Sequence, residues 1–124
     1  MEDKWSGFGS DRYRLQNLGR PAVFLVPLKK LAFKIGDETV EDQLHRFLIK
    51  QFGAFTTSAI PGYGVYTDPE QKVVLDESRE YKVSFNGKER IPLLIDELAR
   101  IAALVGEDCI YLEAGQYACL VYPR

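Results

Sequence analysis

His45 is the single histidine of the 124-residue chain, and its side chain titrates nearest neutrality when unperturbed. Glu41 precedes it by four residues, one turn of a helix, so a carboxylate there can orient the imidazole as a general base. Nothing else around the pair forms a set of nucleophile, base and orienter. His45 therefore reads as a boundary histidine in a helical pair. The carboxylates Asp68, Glu70, Asp76, Glu77 and Glu80 form a second group. Clustered oxygens suit a hard divalent cation. The alternating Asp/Asn spacing of a calcium loop is missing, so the group reads as a solvated turn and strand edge. No metal and no cofactor is expected. Tyr63, Tyr66 and Tyr81, with Gly62 and Gly64, are the third group. They offer aromatic surface beside permissive backbone, which suits the wall of a small-molecule pocket or an ordinary bent strand.

Cys109 and Cys119 are the only thiols. Two cysteines and one histidine are too few for a Cys/His zinc site. Both are expected to be reduced, Cys119 on a core face. No Walker loop, dinucleotide fingerprint, nucleophile elbow or Cys-x-x-Cys pair is present. With 16 basic and 18 acidic residues and a pI near 5.4, the chain lacks the basic face of a nucleic-acid binder. No apolar run approaches ~18 residues, so no membrane helix is expected. Residues 1–5 hold no apolar signal core, and the expected compartment is the cytoplasm.

The elements that must position these groups are legible from pattern. Residues 1–20, rich in glycine, read as an irregular arm, and residues 21–124 as one domain. Ala22 to Val26 is an apolar run without alternation, a central strand ending at Pro27. Leu31 to Ile35 continues as an extended segment. Thr39 caps a helix with Glu41 and Asp42 in its first turn and a stripe of Val40, Leu44, Phe47, Leu48 and Phe52, stopped by Gly53. Asp42–Arg46 and Glu41–His45 are spaced to pair across a turn. Ala54 to Ile60 reads as a strand that Pro61-Gly62 interrupts and Tyr63 to Thr67 resumes. Asp68 to Gln71 turns the chain. Lys72 to Leu75 is a short return strand, and Asp76 to Arg79 leads into the alternating strand Glu80 to Phe85. Asn86-Gly87 turns into a helix from Arg90 to Val105, with Pro92 in its first turn and Gly106 past its end. Gly115-Gln116 makes a two-residue hairpin pairing Ala114 with Tyr117 and Leu112 with Cys119.

This order resembles the β-α-β-β-α-β pattern of ferredoxin-like folds over residues 20–122. The stretch from Phe55 through Gly64 and Tyr66 to Glu77 and Glu80 is also similar to small bacterial domains of that architecture, a likeness that brings no activity with it. It implies an α+β sandwich, a mainly antiparallel sheet with two helices on one face and an added C-terminal hairpin. The RNA-recognition module shares the order. Its third strand needs a glycine and an outward aromatic pair, which Arg79 to Phe85 lacks.

The function expected is a non-catalytic binding and oligomerisation domain. Tyr111, Leu120 and Tyr122 form its interface in a homodimer, because they lie on the hairpin face away from the helices. The alternative is a small-molecule-binding protein or minor enzyme with a pocket near Tyr63–Tyr66, drawing on His45, Tyr63, Tyr66 and Glu80.

Overall fold

The apolar run after the arm becomes the middle of the sheet. The computed structural model describes residues 5–58, 61–85, 87–115 and 117–124. Strand β1 (Pro21–Pro27) is followed by a one-turn helix α1 (Leu28–Leu31) and a small hairpin, β2 (Lys34–Ile35) with β3 (Glu38–Thr39). Next come helix α2 (Val40–Phe52), β4 (Thr56–Thr57), β5 (Gly62–Thr67) and β6 (Val73–Ser84). Helix α3 (Arg90–Val105), β7 (Ile110–Ala114) and β8 (Tyr117–Val121) complete the chain. The sheet has six strands in the order β4-β6-β1-β7-β8, with β5 also paired to β6. All its pairings are antiparallel. The class is α+β, as expected. The order agrees with a ferredoxin-like sandwich to which β8 is added at one edge.

One face of the sheet carries the core. Ala22, Phe24 and Val26 of β1 are buried, and the residues between them are half-buried. Their cross-strand partners Val83, Tyr81 and Leu112 are buried on the same side. Leu44 and Leu48 of α2 pack into the same cluster as Leu94, Leu98 and Ile101 of α3. Both long helices therefore cover one face, since each has a single apolar stripe to bury.

The helix ends follow their local chemistry. Thr39 Oγ1 accepts from Asp42 N at 3.1 Å, satisfying one of the free amides of the first turn. Gly53 and Gly106 close α2 and α3 at φ +79° and +75°, where a side chain would be strained. Asp68 Oδ1 accepts from the amides of Glu70 and Lys72, 2.9 Å each. That side chain holds the tight turn between β5 and β6 in place.

Several expectations are corrected. Leu31 to Ile35 is not one extended segment: α1 ends at Leu31, and Lys34–Ile35 turns back on Glu38–Thr39. The short return strand and its lead-in are one continuous strand, Val73–Ser84, because β5 pairs with its first half and β1 with its second. Arg46 pairs with Glu38 at 2.7 Å and Glu41 with Arg79 at 2.5 Å. The tertiary partners outcompete the i,i+4 ones, which are worth only ~0.3–0.5 kcal/mol. The hairpin register is as expected, Leu112 facing Cys119, and both cysteines are free thiols. Cys119 is nonetheless exposed rather than core, although Val121 two residues on, on the same outermost strand, is buried. The strand expected to run to Ile60 is described only at Thr56–Thr57; Ala59, Ile60, Asn86 and Gln116 lie outside the described residues.

Chemical denaturation tests this arrangement at two positions. Thr39→Ala removes a cap and lowers stability by about 1 kcal/mol. Cys119→Ser stays within ~0.5 kcal/mol of the parent.

Candidate functional site

Along β6 the residues on the core side are Phe85 (just past the strand end), Val83, Tyr81, Arg79, Glu77, Leu75 and Val73, every second position. The first three are buried. β1 accompanies β6 only as far as the pair Pro27–Ser78. Beyond it, among the described residues, β5 alone pairs with β6, from Gly62–Ser78 to Thr67–Val73. The sheet thus narrows to a two-stranded ribbon that outruns the helices. Residues directly opposite one another share a face, so Tyr63, Val65, Leu75 and Val73 continue the core side without cover. They are 68%, 66%, 62% and 74% exposed.

A cleft forms where the ribbon leaves the body. Pro27, Leu28 and Lys29, at the end of β1 and the start of α1, face Tyr63, Leu75, Asp76 and Glu77 across about 330 Å³. Tyr63 Oη donates to Glu77 Oε1 at 3.1 Å. That hydrogen bond and the carboxylate's negative charge push the Tyr63 phenol up from its ordinary value. On the ribbon's other face Tyr66 Oη donates to Asp76 Oδ2 at 3.2 Å. Burial, then Asp76, raises the Tyr66 phenol, and Glu107 and Asp108 add to the effect. Burial also raises the Glu107 carboxyl, against the pull of Lys30. Lys30 Nζ donates to the Val105 carbonyl at 2.8 Å, so α1, one wall of the cleft, is tied to the last turn of α3.

The remaining residues singled out from sequence lie elsewhere. His45 Nε2 and Tyr81 Oη share a 2.8 Å hydrogen bond, and the imidazole sits 4.8 Å from the Phe55 ring. Tyr81 has no exposed surface. Burial raises its phenol, and hydrogen bonds from Arg79 and Thr57 act the other way. This network fastens α2 to β6. Tyr81 stands four positions along the strand from Glu77, about 13 Å at strand rise. Glu80 faces outward and is exposed; its carbonyl accepts from Ser58 N at 3.1 Å and from Thr57 Oγ1 at 3.0 Å. Of His45, Tyr63, Tyr66 and Glu80, Tyr63 alone lines the cleft. Among the described residues no His, Cys, Asp or Glu cluster could hold a metal ion. The pleat sends Asp76 to Tyr66 and Glu77 to Tyr63, and Asp68 is spent on its turn.

Lys29 and Glu77 as cleft residues escaped sequence reasoning. The signal for Glu77 was present: a tight turn at Asp68 to Gln71 places Tyr63 opposite residue 77 once β6 is read as unbroken. A second cavity of about 230 Å³ lies by the β4 edge, lined by Leu18, Phe52, Phe55, Thr56 and Lys82 among others. Among the described residues it is lined by no carboxylate or imidazole that could act on a substrate.

Ultraviolet titration of Tyr63 checks the cleft geometry. Glu77→Gln removes the negative acceptor, so the phenol ionises at lower pH than in the parent, by difference absorbance in a chain whose other tyrosines are unchanged.

No family model and no curated protein matches the chain. Two solved structures do. A phage SAM lyase in complex with S-methyl-5'-thioadenosine is 19% identical, with a TM-score of 0.58 over 91% of this chain and 96% of that one. A phage SAM lyase in the apo state is 17% identical, with a TM-score of 0.57 over 90% and 98%. At such identity the likeness is one of fold. It corrects the expectation of a non-catalytic binding and oligomerisation domain. The same architecture, nearly end to end, serves a lyase with a small molecule bound, so the lack of a familiar motif carries no weight against chemistry. The finding favours the alternative, a small-molecule site or enzyme.

Proposed function

We propose that this chain is a small enzyme that binds an adenosyl sulfonium compound in the cleft at the ribbon's base and cleaves it to a thioether. The observation that carries the reading is the Tyr63–Glu77 pair, with Asp76 beside it, walling a cleft of about 330 Å³. The matching fold of a SAM lyase supplies the ligand class. A volume of this size lies within the range of small-molecule sites.

The chemistry of the lining suits such a ligand. A sulfonium is a fixed cation, and the Glu77 carboxylate favours it over a neutral analogue. The Tyr63 ring offers a face on which an adenine can stack, worth ~1–3 kcal/mol. Leu28, Leu75 and Pro27 supply the apolar contact, and the Lys29 ammonium can meet a substrate carboxylate. When the C–S bond breaks its electron pair goes to sulfur, so the cationic charge disappears and the thioether loses its electrostatic hold on the Glu77 carboxylate. Glu77 is the group placed to take a proton from the carbon next to the one that leaves sulfur, so that the C–H electron pair becomes the carbon–carbon double bond of the second product, and Tyr63 orients the carboxylate through the 3.1 Å hydrogen bond.

Incubating the purified chain with S-adenosylmethionine and assaying for S-methyl-5'-thioadenosine by mass spectrometry tests this reading. Product should form, and Glu77→Gln should slow it by about 100-fold or more. Tyr63→Phe should lower the rate less. Absence of both product and calorimetric binding of either compound at millimolar concentration would remove the reading. Binding without turnover would leave a small-molecule-binding protein.

A further inference from the structure

We propose, on the reading of the cleft as an adenosyl site, that the backbone of Leu75 reads the adenine base of the bound compound. Phe85 N donates to the Arg20 carbonyl at 2.8 Å, and the β1–β6 register sets these two residues opposite one another. Odd-numbered residues of β6 therefore turn their N–H and C=O to the β1 side, and even-numbered residues turn theirs to the other. The bonds on the far side agree. Ser58 N donates to the Glu80 carbonyl at 3.1 Å, and Asp68 N to the Lys72 carbonyl at 2.9 Å. Val74, Asp76 and Ser78 thus make the ladder to β5, and the N–H and C=O of Leu75 point away from it.

On the β1 side the strand has left. Its register with β6 ends at Pro27–Ser78. The position opposite Leu75 falls to Lys30, which belongs to α1. Its carbonyl is turned along the helix and accepts from Phe33 N at 3.1 Å. Among the described residues, the sheet therefore gives the N–H and C=O of Leu75 no strand partner. This edge borders the cleft: Leu75 lines it, with Pro27, Leu28 and Lys29 across from it.

The occupant follows from the shape and the chemistry of the opening. With α1 across it and Pro27 closing the row at one end, a space of about 330 Å³ has no length for another strand. A flat heterocycle fits. Adenine carries a donor, its 6-amino group, beside a ring-nitrogen acceptor. The C=O and N–H of one residue complement that pair. Hypoxanthine has an oxygen in place of the amino group and sets an acceptor against the Leu75 carbonyl. Leu75 stands two positions from Glu77, about 7 Å at strand rise, so the ribose spans from the base to the sulfonium at the Glu77 carboxylate. Tyr63 lies diagonal to Leu75 across the β5–β6 pair, within reach of the base's face. A base read by backbone needs no signature side chain at the position that reads it.

Calorimetry and heteronuclear NMR of the full chain test the proposal, with S-methyl-5'-thioadenosine and its 6-oxo counterpart, S-methyl-5'-thioinosine, as probes. The adenosine compound should bind, and the inosine compound should bind about 30-fold more weakly. In the adenosine complex the Leu75 amide proton should move downfield and exchange more slowly. The amides of Val74 and Asp76, already bonded to β5, should keep their exchange rates. Leu75→Pro removes the edge N–H and leaves the β5 ladder whole, and it should weaken binding about 10-fold beyond Leu75→Ala. The ligand comparison and the amide signals need only the parent chain, so they decide the case if the proline variant does not fold. Equal binding of the two nucleosides, or an unmoved Leu75 amide in a formed complex, overturns this inference and leaves the adenosyl site standing. Binding of neither compound at millimolar concentration overturns both.

Discussion

A strand cannot change which way its side chains point without slipping by a residue. That constraint governs β6, the strand on which everything else in this molecule depends. Over twelve residues one row of side chains passes from Phe85, Val83 and Tyr81 in the core, through Arg79, to Glu77 and Leu75 in the cleft. The core fixes the register of the row, and the row fixes the cleft. A shift of one residue would bury Lys82 and Glu80 and turn Glu77 away from Tyr63. The apolar contacts made by Tyr81 and Val83 thus hold a carboxylate that touches neither.

The polar groups divide along the same line. Where the helices cover β6, His45 bonds to Tyr81 and Glu41 to Arg79, with Arg79 Nε left buried and unpartnered. Burying them unpaired would cost about 1–3 kcal/mol each. Past the helices the constraint relaxes, and Glu77 and Asp76 keep one neighbouring phenol each with solvent on the remaining side. An acid or base needs that partial freedom. A histidine locked against a buried tyrosine does not have it, which is why the residue that looks most reactive in the sequence is structural in its contacts.

Much of the fold was legible because period and punctuation agree. Thr39 and Gly53 bracket one helix, Gly106 ends the other, and the C-terminal hairpin register follows from Gly115. The cleft was only half legible. Tyr63 stood out by residue type, but Glu77 was obscured by the run Asp76 to Arg79, whose four polar residues look like a loop. They form a strand because both edges of β6 are paired there in turn, first by β5 and then by β1. Side-chain pattern does not report that backbone pairing. Lys29 was hidden for a related reason. It belongs to a single turn of helix, too short for periodicity to show, that exists because Pro27 ends the strand before it.

The bond from Lys30 to the Val105 carbonyl makes that single turn more than a connector. An isolated turn of helix has little stability in water, yet here its ammonium sits at the negative end of a sixteen-residue helix, where a cation is favoured by ~0.3–1 kcal/mol. The near wall of the cleft is therefore moored to the tip of α3, which lends the cleft no lining residue. Leu31 of the same turn is buried in the core, so α1 has two anchors, and a helix α3 one turn shorter would withdraw the carbonyl by about 5.4 Å and remove one of them. In this chain one wall of the opening is steadied by the tip of a helix that contributes no side chain to it.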